Sequence, residues 1–334
     1  MKKIFLYLLI ILFSISIQNK TICLNSNNDN SVANNTIASE NLIDYTLLVK
    51  NEIDSLINYL LKKFKQNSLQ EYLDNTLSNN AGKGSESYVF AILQLDKIDN
   101  NISLNYNKYF TSLNEYCNNK KMNPVSSLNN ALMYIALGKT DDPFVKKVAN
   151  ESIGKMGIMS YIYGMHILNN GAKSDTYTIE DVKEKLLTFY KEGYGFVVNE
   201  KEVDVDISAM AIQCLAPYYN EIKIKKIIDD TLLVLSNIQN ENAGFVSYGS
   251  ENPESASQVL LALSSLKKDA FNDAMFIKNN NNLLNFLYRY KTESGAYTHI
   301  LNEYDNSLST NQAFYSLVSY YIYKTSNKIY YIFK

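Results

Sequence analysis

Residues that break regular structure or ligate metals are scarce in this chain of 334 residues. It has 12 glycines and 4 prolines, which excludes a collagen-like repeat, a Pro/Gly-rich linker and a turn-rich all-β architecture. It has no tryptophan, 3 cysteines and 2 histidines, too few for a disulfide framework or a Cys/His metal site. The hydrophobic residues, 46% of the chain, suffice for a large core, and the many Leu, Ile and Tyr residues favour a mostly helical fold.

Neither sign of charge dominates. The chain has 32 Lys and Arg residues against 34 Asp and Glu residues, a net charge of −2, and both signs are interspersed. A nucleic-acid-binding domain normally has a basic patch, and the sequence shows none. We therefore expect no nucleic-acid partner.

The N-terminus has the pattern of a targeting segment. Lys2 and Lys3 precede an apolar run from Ile4 to Ile17, which is shorter than the about 20 apolar residues of a membrane-spanning helix. The pattern predicts a secretory signal peptide over residues 1–24, with a retained N-terminal anchor as the alternative. An Asn/Ser-rich stretch, 25–39, predicts a disordered spacer. We expect a secreted or cell-surface protein without a membrane span after signal removal, with one domain, 40–334.

The cysteines do not form an obvious pattern. Cys23 suggests lipidation, but Lys20 and Ile22 are wrong for the small residues that lipoprotein processing needs. After signal removal only Cys117 and Cys214 remain. Because Cys214 lies in an apolar stretch, a buried free thiol is the favoured interpretation, and a Cys117–Cys214 disulfide is the alternative.

Three similar units follow one another in the second half of the chain. Each unit opens with a Leu-Leu pair on an apolar helix and continues with a glycine turn with a nearby aromatic residue, a polar loop, and a second helix that starts near a serine. The pairs are Leu186-Leu187, Leu232-Leu233 and Leu283-Leu284, the turns Gly195-Phe196, Gly244-Phe245 and Gly295 with Tyr297, and the serines Ser208, Ser255 and Ser309.

The first half contains weaker copies of this unit. Apolar helices are predicted over 88–95, 128–137 and 158–168, and the apolar residues of 53–64 have helical spacing. The pattern indicates helical hairpins that repeat about every 50 residues, roughly twelve helices in all, in a monomer. Periodicity alone leaves an open superhelix and a closed ring as alternatives. In a closed ring, Ser208, Ser255 and Ser309 would lie at one end of neighbouring inner helices.

Two segments carry a family resemblance. The stretches at 204–219 (DVDISAMAIQCLAPYY) and 244–263 (GFVSYGSENPESASQVLLAL) resemble the repeat of terpenoid cyclases and prenyltransferases. More narrowly, they are similar to secreted bacterial proteins with prenyltransferase/squalene-oxidase repeats, which the stretch at 136–143 (ALGKTDDP) also fits. The resemblance covers roughly 72–320 and implies an all-α fold, the α/α toroid, in which six outer helices surround six inner helices and a central cavity. Vitamin B12 carriers of the intrinsic-factor type share this architecture.

The cyclase chemistry that the resemblance implies is incomplete here. The class II terpenoid cyclases, whose repeat this chain resembles, use an Asp-x-Asp-Asp motif. Burial and neighbouring like charges keep its middle Asp protonated. Asp204, Asp206 and Ile207 occupy the three Asp positions, so Asp206, next to Asp204, would be the proton donor and the last carboxylate is missing. The alternatives for Asp206 are helix capping and contact with a ligand. A cap or ligand contact predicts a lowered pKa for Asp206, and a proton donor predicts a raised one.

The prenyltransferase chemistry is absent as well. The protein prenyltransferases of the superfamily that this chain resembles bind zinc through an Asp, a Cys and a His. This chain has no Asp-x-Cys, and His166 and His299 are distant in sequence from Cys117 and Cys214. We interpret both histidines as ordinary polar or half-buried residues. The loops before the second helices are acidic, which disfavours a diphosphate. We expect no metal and no cofactor.

The remaining candidates belong to the same loops and helices. Gln258 and Gln312 each stand three residues after a serine, so they could form capping boxes or contact a cavity. Asn252-Pro253-Glu254 is typical of a helix start. We expect a non-catalytic binding module for a small polar ligand, such as a corrinoid; a cyclase-like enzyme and a protein-interaction repeat domain are the alternatives. The candidate ligand-binding residues are Asp204, Asp206, Glu254, Gln258, Gln312 and Tyr297.

Overall fold

The computed structural model describes residues 43–198, 202–247 and 249–326. All of them belong to one compact unit, Leu42–Lys334. The predicted signal peptide and spacer lie outside the described residues and stay predictions.

Helices dominate the described residues, which confirms the all-α prediction. Two small antiparallel hairpins are the other regular elements described: β1 (Tyr190–Lys191) with β2 (Gly195–Phe196), and β3 (Val246–Ser247) with β4 (Ser250–Glu251). The α-helices are α1 (Thr46–Phe64), α2 (Leu69–Tyr72), α3 (Glu86–Asp96), α4 (Asn107–Asn119), α5 (Pro124–Ala136), α6 (Pro143–Glu151), α7 (Gly157–Asn169), α8 (Ile179–Leu187), α9 (Val205–Leu215), α10 (Ile222–Ile238), α11 (Pro253–Ser265), α12 (Leu283–Arg289) and α13 (Ser307–Ser326). A π-helical turn (Leu73–Leu77) and 3-10 turns (Ser78–Asn80, Ala216–Tyr218, Ala274–Phe276) complete the helical elements described.

The odd-numbered helices from α3 onward contact one another in a cycle. Helix α3 contacts α5, and the contacts continue through α7, α9 and α11 to α13, which contacts α3 again. The even-numbered helices from α4 onward and α1 pack against this set: α4 and α6 on α5, α8 on α7, α10 on α9, α12 on α11, and α1 on α13, while α2 contacts α1.

The two sets of helices differ in burial because their sequences differ. Helix α11 buries 12 of its 13 residues, as expected for an apolar helix that other helices surround. Helix α6 buries only 3 of its 9 residues and has one apolar face, which is typical of a helix that faces water on its other side.

Side chains cap the N-termini of several helices, among them α5, α6, α9 and α11. Asn252 Oδ1 accepts from Ser255 N at 2.9 Å, with Pro253 at the first helical position, so the predicted start of α11 is confirmed. Asn306 Oδ1 accepts from Ser309 N at 3.1 Å at the start of α13. The alternative of Ser/Gln capping boxes is therefore wrong, because asparagines three residues earlier already bind these backbone groups.

The glycine–aromatic turns belong to the core. Phe196, Phe245 and Tyr297 are fully buried. Ser208 Oγ accepts from Phe196 N at 3.0 Å and donates to Phe196 O at 3.1 Å, and Thr310 Oγ1 makes the same pair of bonds with Tyr297. Helices α9 and α13 are thus each joined to the turn that precedes them.

The three leucine pairs all lie on helices, as expected, but at different positions along them. They lie at the end of α8, within α10 and at the start of α12, so the aligned pairs do not mark a common helical position. Cys214 and Cys117 are both buried and free. Within the described ranges, no helix is both long and apolar enough to span a membrane.

Candidate functional site

A cavity of about 230 Å³ lies among the six odd-numbered helices from α3 to α13. Each of these helices contributes at least one side chain from its first three turns. None of the lining residues is Asp, Glu, Lys or Arg. They are Ser87, Phe90, Asn129, Leu132, Tyr163, His166, Met210, Gln213, Gln258, Leu308, Asn311, Gln312 and Tyr315.

A chain of amide hydrogen bonds forms one wall of the cavity. Gln213 Nε2 donates to Gln258 Oε1 at 3.0 Å, and Gln258 Nε2 donates to Gln312 Oε1 at 3.1 Å. The three glutamines come from the neighbouring helices α9, α11 and α13, so their side chains hold these helices in register. Asn311 lines the same cavity, is 8% exposed, and its buried Oδ1 has no hydrogen-bond partner. An unpaired buried acceptor is costly unless something binds to it.

His166 is the only histidine in the cavity lining. It is 3% exposed, and burial lowers its pKa to about 3. The imidazole is therefore neutral at neutral pH and offers one donor and one acceptor. Of the expectation that His166 is an ordinary polar or half-buried residue, the half-buried position is wrong, because the side chain is almost fully buried and lines the cavity.

Glu254 lies one helical turn before Gln258 on α11, about 6 Å along the axis. It is 7% exposed and accepts from Ser309 Oγ of α13. His299 Nδ1, on the loop before α13, lies 3.1 Å from both of its carboxylate oxygens. These contacts place the starts of α11 and α13 side by side above the cavity.

Asp204 and Asp206 stand at the start of α9. Asp204 is the N-cap, and its Oδ1 accepts from Ile207 N at 2.9 Å; burial nevertheless raises its pKa. Asp206 accepts from Ser247 Oγ at 3.5 Å. Its pKa is raised by burial and by the charges of Asp204 and Glu254. The lowered pKa expected of a capping or ligand-contacting Asp206 is therefore wrong, since Asp204 caps the helix and Asp206 is largely desolvated.

Tyr297 lies apart from the cavity. Its hydroxyl donates to Glu52 Oε1 of α1 at 3.0 Å, and Lys291 Nζ lies 2.6 Å from Glu52 Oε2. Of the six candidate residues, Gln258 and Gln312 line the cavity, Asp204, Asp206 and Glu254 lie in the first turns next to it, and Tyr297 does not reach it.

Sequence reasoning missed Gln213, His166, Asn129 and Asn311. Gln213 and His166 are polar residues within otherwise apolar helical stretches, and that is the available signal, whereas Asn129 and Asn311 have polar neighbours in the sequence and carry no such signal. A polar residue in such a stretch must find a partner inside the fold or face a cavity.

A larger groove of about 730 Å³ runs between α4, α5 and α6. Its lining includes Lys120, Lys121 and Lys147 together with Asp142 and Glu151. Charges of both signs at an edge of the fold give no convergent set of groups, so the smaller central cavity is the better candidate.

No group of three or more His, Cys, Asp or Glu residues in the described part of the chain could hold a metal ion. No family model, no curated protein and no solved structure matches the chain.

Proposed function

We propose that the domain is an α/α toroid related to the terpenoid cyclase and prenyltransferase superfamily. The cyclic order of contacts from α3 to α13 and back to α3 supports this, as does the alternation of buried and half-buried helices. The first turns of α11 and α13 lie side by side through Glu254 and Ser309, as a ring of parallel inner helices requires. A crystal structure in which α13 is separated from α3 would contradict the toroid.

The cavity binds a small, neutral, polar ligand and performs no chemistry on it. The observation that carries this proposal is the lining: amide, hydroxyl and neutral imidazole groups converge from six helices, and Asn311 Oδ1 is unpaired. Ligand sites commonly combine such convergent polar groups with apolar walls. The volume of about 230 Å³ is below the about 300 Å³ of small ligand pockets, so the ligand is smaller than a corrinoid. We place the protein outside the cell, exported by residues 1–24.

A thermal-shift screen tests this function. Neutral sugars, nucleosides, amides, corrinoids and isoprenoids are added to the purified protein, and a ligand raises the melting temperature by mass action. Asn311→Leu fills the cavity wall with an apolar group and should abolish the shift. Gln66→Leu makes a similar exchange after the end of α1, away from the cavity, and should leave the shift unchanged. A hit whose shift survives Asn311→Leu binds elsewhere and contradicts the proposal.

The raised pKa of Asp206 favours a second candidate, a cyclase-like enzyme, because a proton donor must be protonated before it reacts. Two observations weigh against it: Asp206 does not line the cavity, and the cavity is small. Incubation with linear isoprenoids, followed by product analysis, decides between the two. Turnover that disappears in Asp206→Asn would establish the enzyme.

A further inference from the structure

The polar side chains of the central cavity form two walls that differ in hydrogen bonding. On α9, α11 and α13, Gln213, Gln258 and Gln312 bind one another. The other half of the cycle, α3, α5 and α7, contributes an unpaired wall, which consists of Ser87, Asn129, Tyr163 and His166. Within the described ranges, none of these four side chains has a hydrogen-bond partner. Half of the polar lining is therefore left for something inside the cavity to bind.

The unpaired wall is open to the cavity. Unpaired polar atoms also occur elsewhere in the described chain, Ser264 Oγ and Ser319 Oγ among them, but those atoms are closed off even from water. No polar side-chain atom of the unpaired wall is closed off in this way. Tyr163 and Asn129 are half-buried and His166 is 3% exposed, so a molecule in the cavity can reach their polar groups.

The chemistry of the unpaired wall favours hydroxyl groups on the ligand. Burial lowers the pKa of His166 to about 3 and raises that of Tyr163, so both are neutral at neutral pH. A charged ligand group would find no opposite charge among the described residues that line the cavity. Hydroxyl, amide and neutral imidazole groups each offer a donor and an acceptor. A ligand hydroxyl also has both, so it can pair with every member of the wall in either direction.

Aromatic rings supply apolar surface between these polar groups. The ring centroids of Phe90 and Tyr315 lie 6.4 Å apart, and those of Tyr163 and His166 also lie 6.4 Å apart; all four side chains line the cavity. Such rings pack against apolar C–H surface. A saturated ring with hydroxyls around its rim and C–H groups on its faces satisfies both kinds of surface. The volume of about 230 Å³ limits the ligand to a single such ring.

We propose that the unpaired wall binds the hydroxyl groups of a neutral single-ring polyol, a monosaccharide or a cyclitol, in the central cavity. This inference rests on the proposed binding function and specifies the ligand class. A planar amide or base matches less well, because its donors and acceptors are fixed and lie in one plane, whereas the unpaired wall comes from three helices.

Saturation-transfer NMR on the purified protein tests the ligand class. The probes are D-glucose, D-galactose and myo-inositol, and nicotinamide is the planar neutral comparison. Titrations give the affinity of each probe. We expect at least one polyol to bind, and nicotinamide to bind at least about tenfold more weakly than that polyol, the difference of one to two neutral hydrogen bonds.

Two variants place the polyol at the unpaired wall. Tyr163→Phe removes one hydroxyl and keeps the ring, and His166→Leu removes the imidazole. Each should weaken polyol binding about fivefold, the loss of one neutral hydrogen bond. Tyr161→Phe is the matched control, because Tyr161 is a half-buried tyrosine of the same helix that packs against Phe189 and does not line the cavity. It should leave the affinity unchanged.

Circular dichroism checks that each variant is folded. If Tyr163→Phe does not fold, Ser87→Ala takes its place, since Ser87 is a half-buried member of the same wall at the start of α3. The same fivefold loss is expected of it.

The outcomes separate the two proposals. Tighter binding of nicotinamide than of every polyol overturns the polyol site and leaves the binding function intact. So does polyol binding that is unchanged in Tyr163→Phe and His166→Leu, or a thermal-shift hit from another class while no polyol binds. Failure of all four probes to bind, together with an empty thermal-shift screen, overturns both.

Discussion

His166 should make the stability of the protein fall as the pH drops below 6.5. Its pKa is lowered from 6.5 to about 3 by burial. Below pH 6.5 the unfolded chain takes up a proton at this histidine while the folded protein does not, so the unfolded state is favoured increasingly down to about pH 3. At pH 5 the loss is about 2 kcal/mol relative to pH 8, since each pH unit below the unfolded pKa contributes about 1.36 kcal/mol.

Urea denaturation at pH 8, 6 and 5 measures this effect. The unaltered protein is compared with His166→Gln, which keeps a polar side chain but does not titrate. The carboxyl groups with raised pKa values, Asp204, Asp206 and Glu86, bind protons in the folded state and act in the opposite direction. They are present in both proteins, so the difference between the two pH profiles isolates His166.

His299→Gln is the control, because the chain has 2 histidines and the other one is half-exposed beside Glu254. Only His166→Gln should remove the loss of about 2 kcal/mol between pH 8 and pH 5. An unchanged pH profile in His166→Gln, or an NMR titration of His166 with a pKa near 6.5, would refute the reasoning.

Three further predictions concern packing, capping and thiol reactivity. Gly244→Ala should destabilise the fold by about 1–3 kcal/mol, because the new Cβ would lie 2.0 Å from Phe286 Cε2; urea denaturation measures the loss, which Phe286→Leu in the same chain should partly restore. Asn252→Ala should cost about 1 kcal/mol through the lost cap of α11, whereas Asn252→Ser should cost little; equal melting temperatures for the two variants would contradict the capping role. Burial raises the pKa of the Cys117 thiol to about 12 and raises that of Cys214 as well, so peptides containing either should stay unmodified by iodoacetamide in the folded protein and react fully in urea, as mass spectrometry would show.

Local features of the fold could be predicted from the sequence. The apolar stretches around Leu128–Leu137 and Ile158–Leu168 became α5 and α7, and Asn252-Pro253-Glu254 begins α11 as expected. These features depend on residues within one or two helical turns of each other, so the sequence contains all the information that decides them.

Which side chains line the cavity depends on how the helices pack, and the sequence does not show that packing. Gln213 and His166 look like interruptions of apolar helices until the rotation of α9 and α7 about their axes is known. Gln258 follows Ser255 by three residues, which is the spacing of a capping box. The same residue lies in the second turn of α11, where a side chain can also face a cavity, so the sequence alone does not separate the two contacts. The rotation of a helix is set by its neighbours, and those are distant in sequence.

The sequence contains a signal that Tyr297 is a core residue and not a ligand-binding residue. The aligned residues of the other two repeats are Phe196 and Phe245, which have no hydrogen-bonding group. A position that accepts phenylalanine in two repeats of three is typical of a core. The tyrosine hydroxyl found a partner in Glu52 of α1, a residue outside the repeat, and no pattern within the repeats predicts that.

The contacts between the first and last helices have a consequence for how the chain folds. Tyr88 donates to the Ser307 backbone carbonyl across 219 positions, and Tyr297 donates to Glu52 across 245 positions. An open array of hairpins can form one unit at a time behind the ribosome, because each unit contacts only its neighbours. Here one side of α1 and one side of α3 stay exposed to water until α13 has been synthesised. The last step of folding therefore includes the loop-closure entropy of almost the whole domain. Loss of the final helix, α13, would expose apolar surface on both ends of the array at once. The solubility of the rest of the domain therefore depends on whether α13 is present and folded.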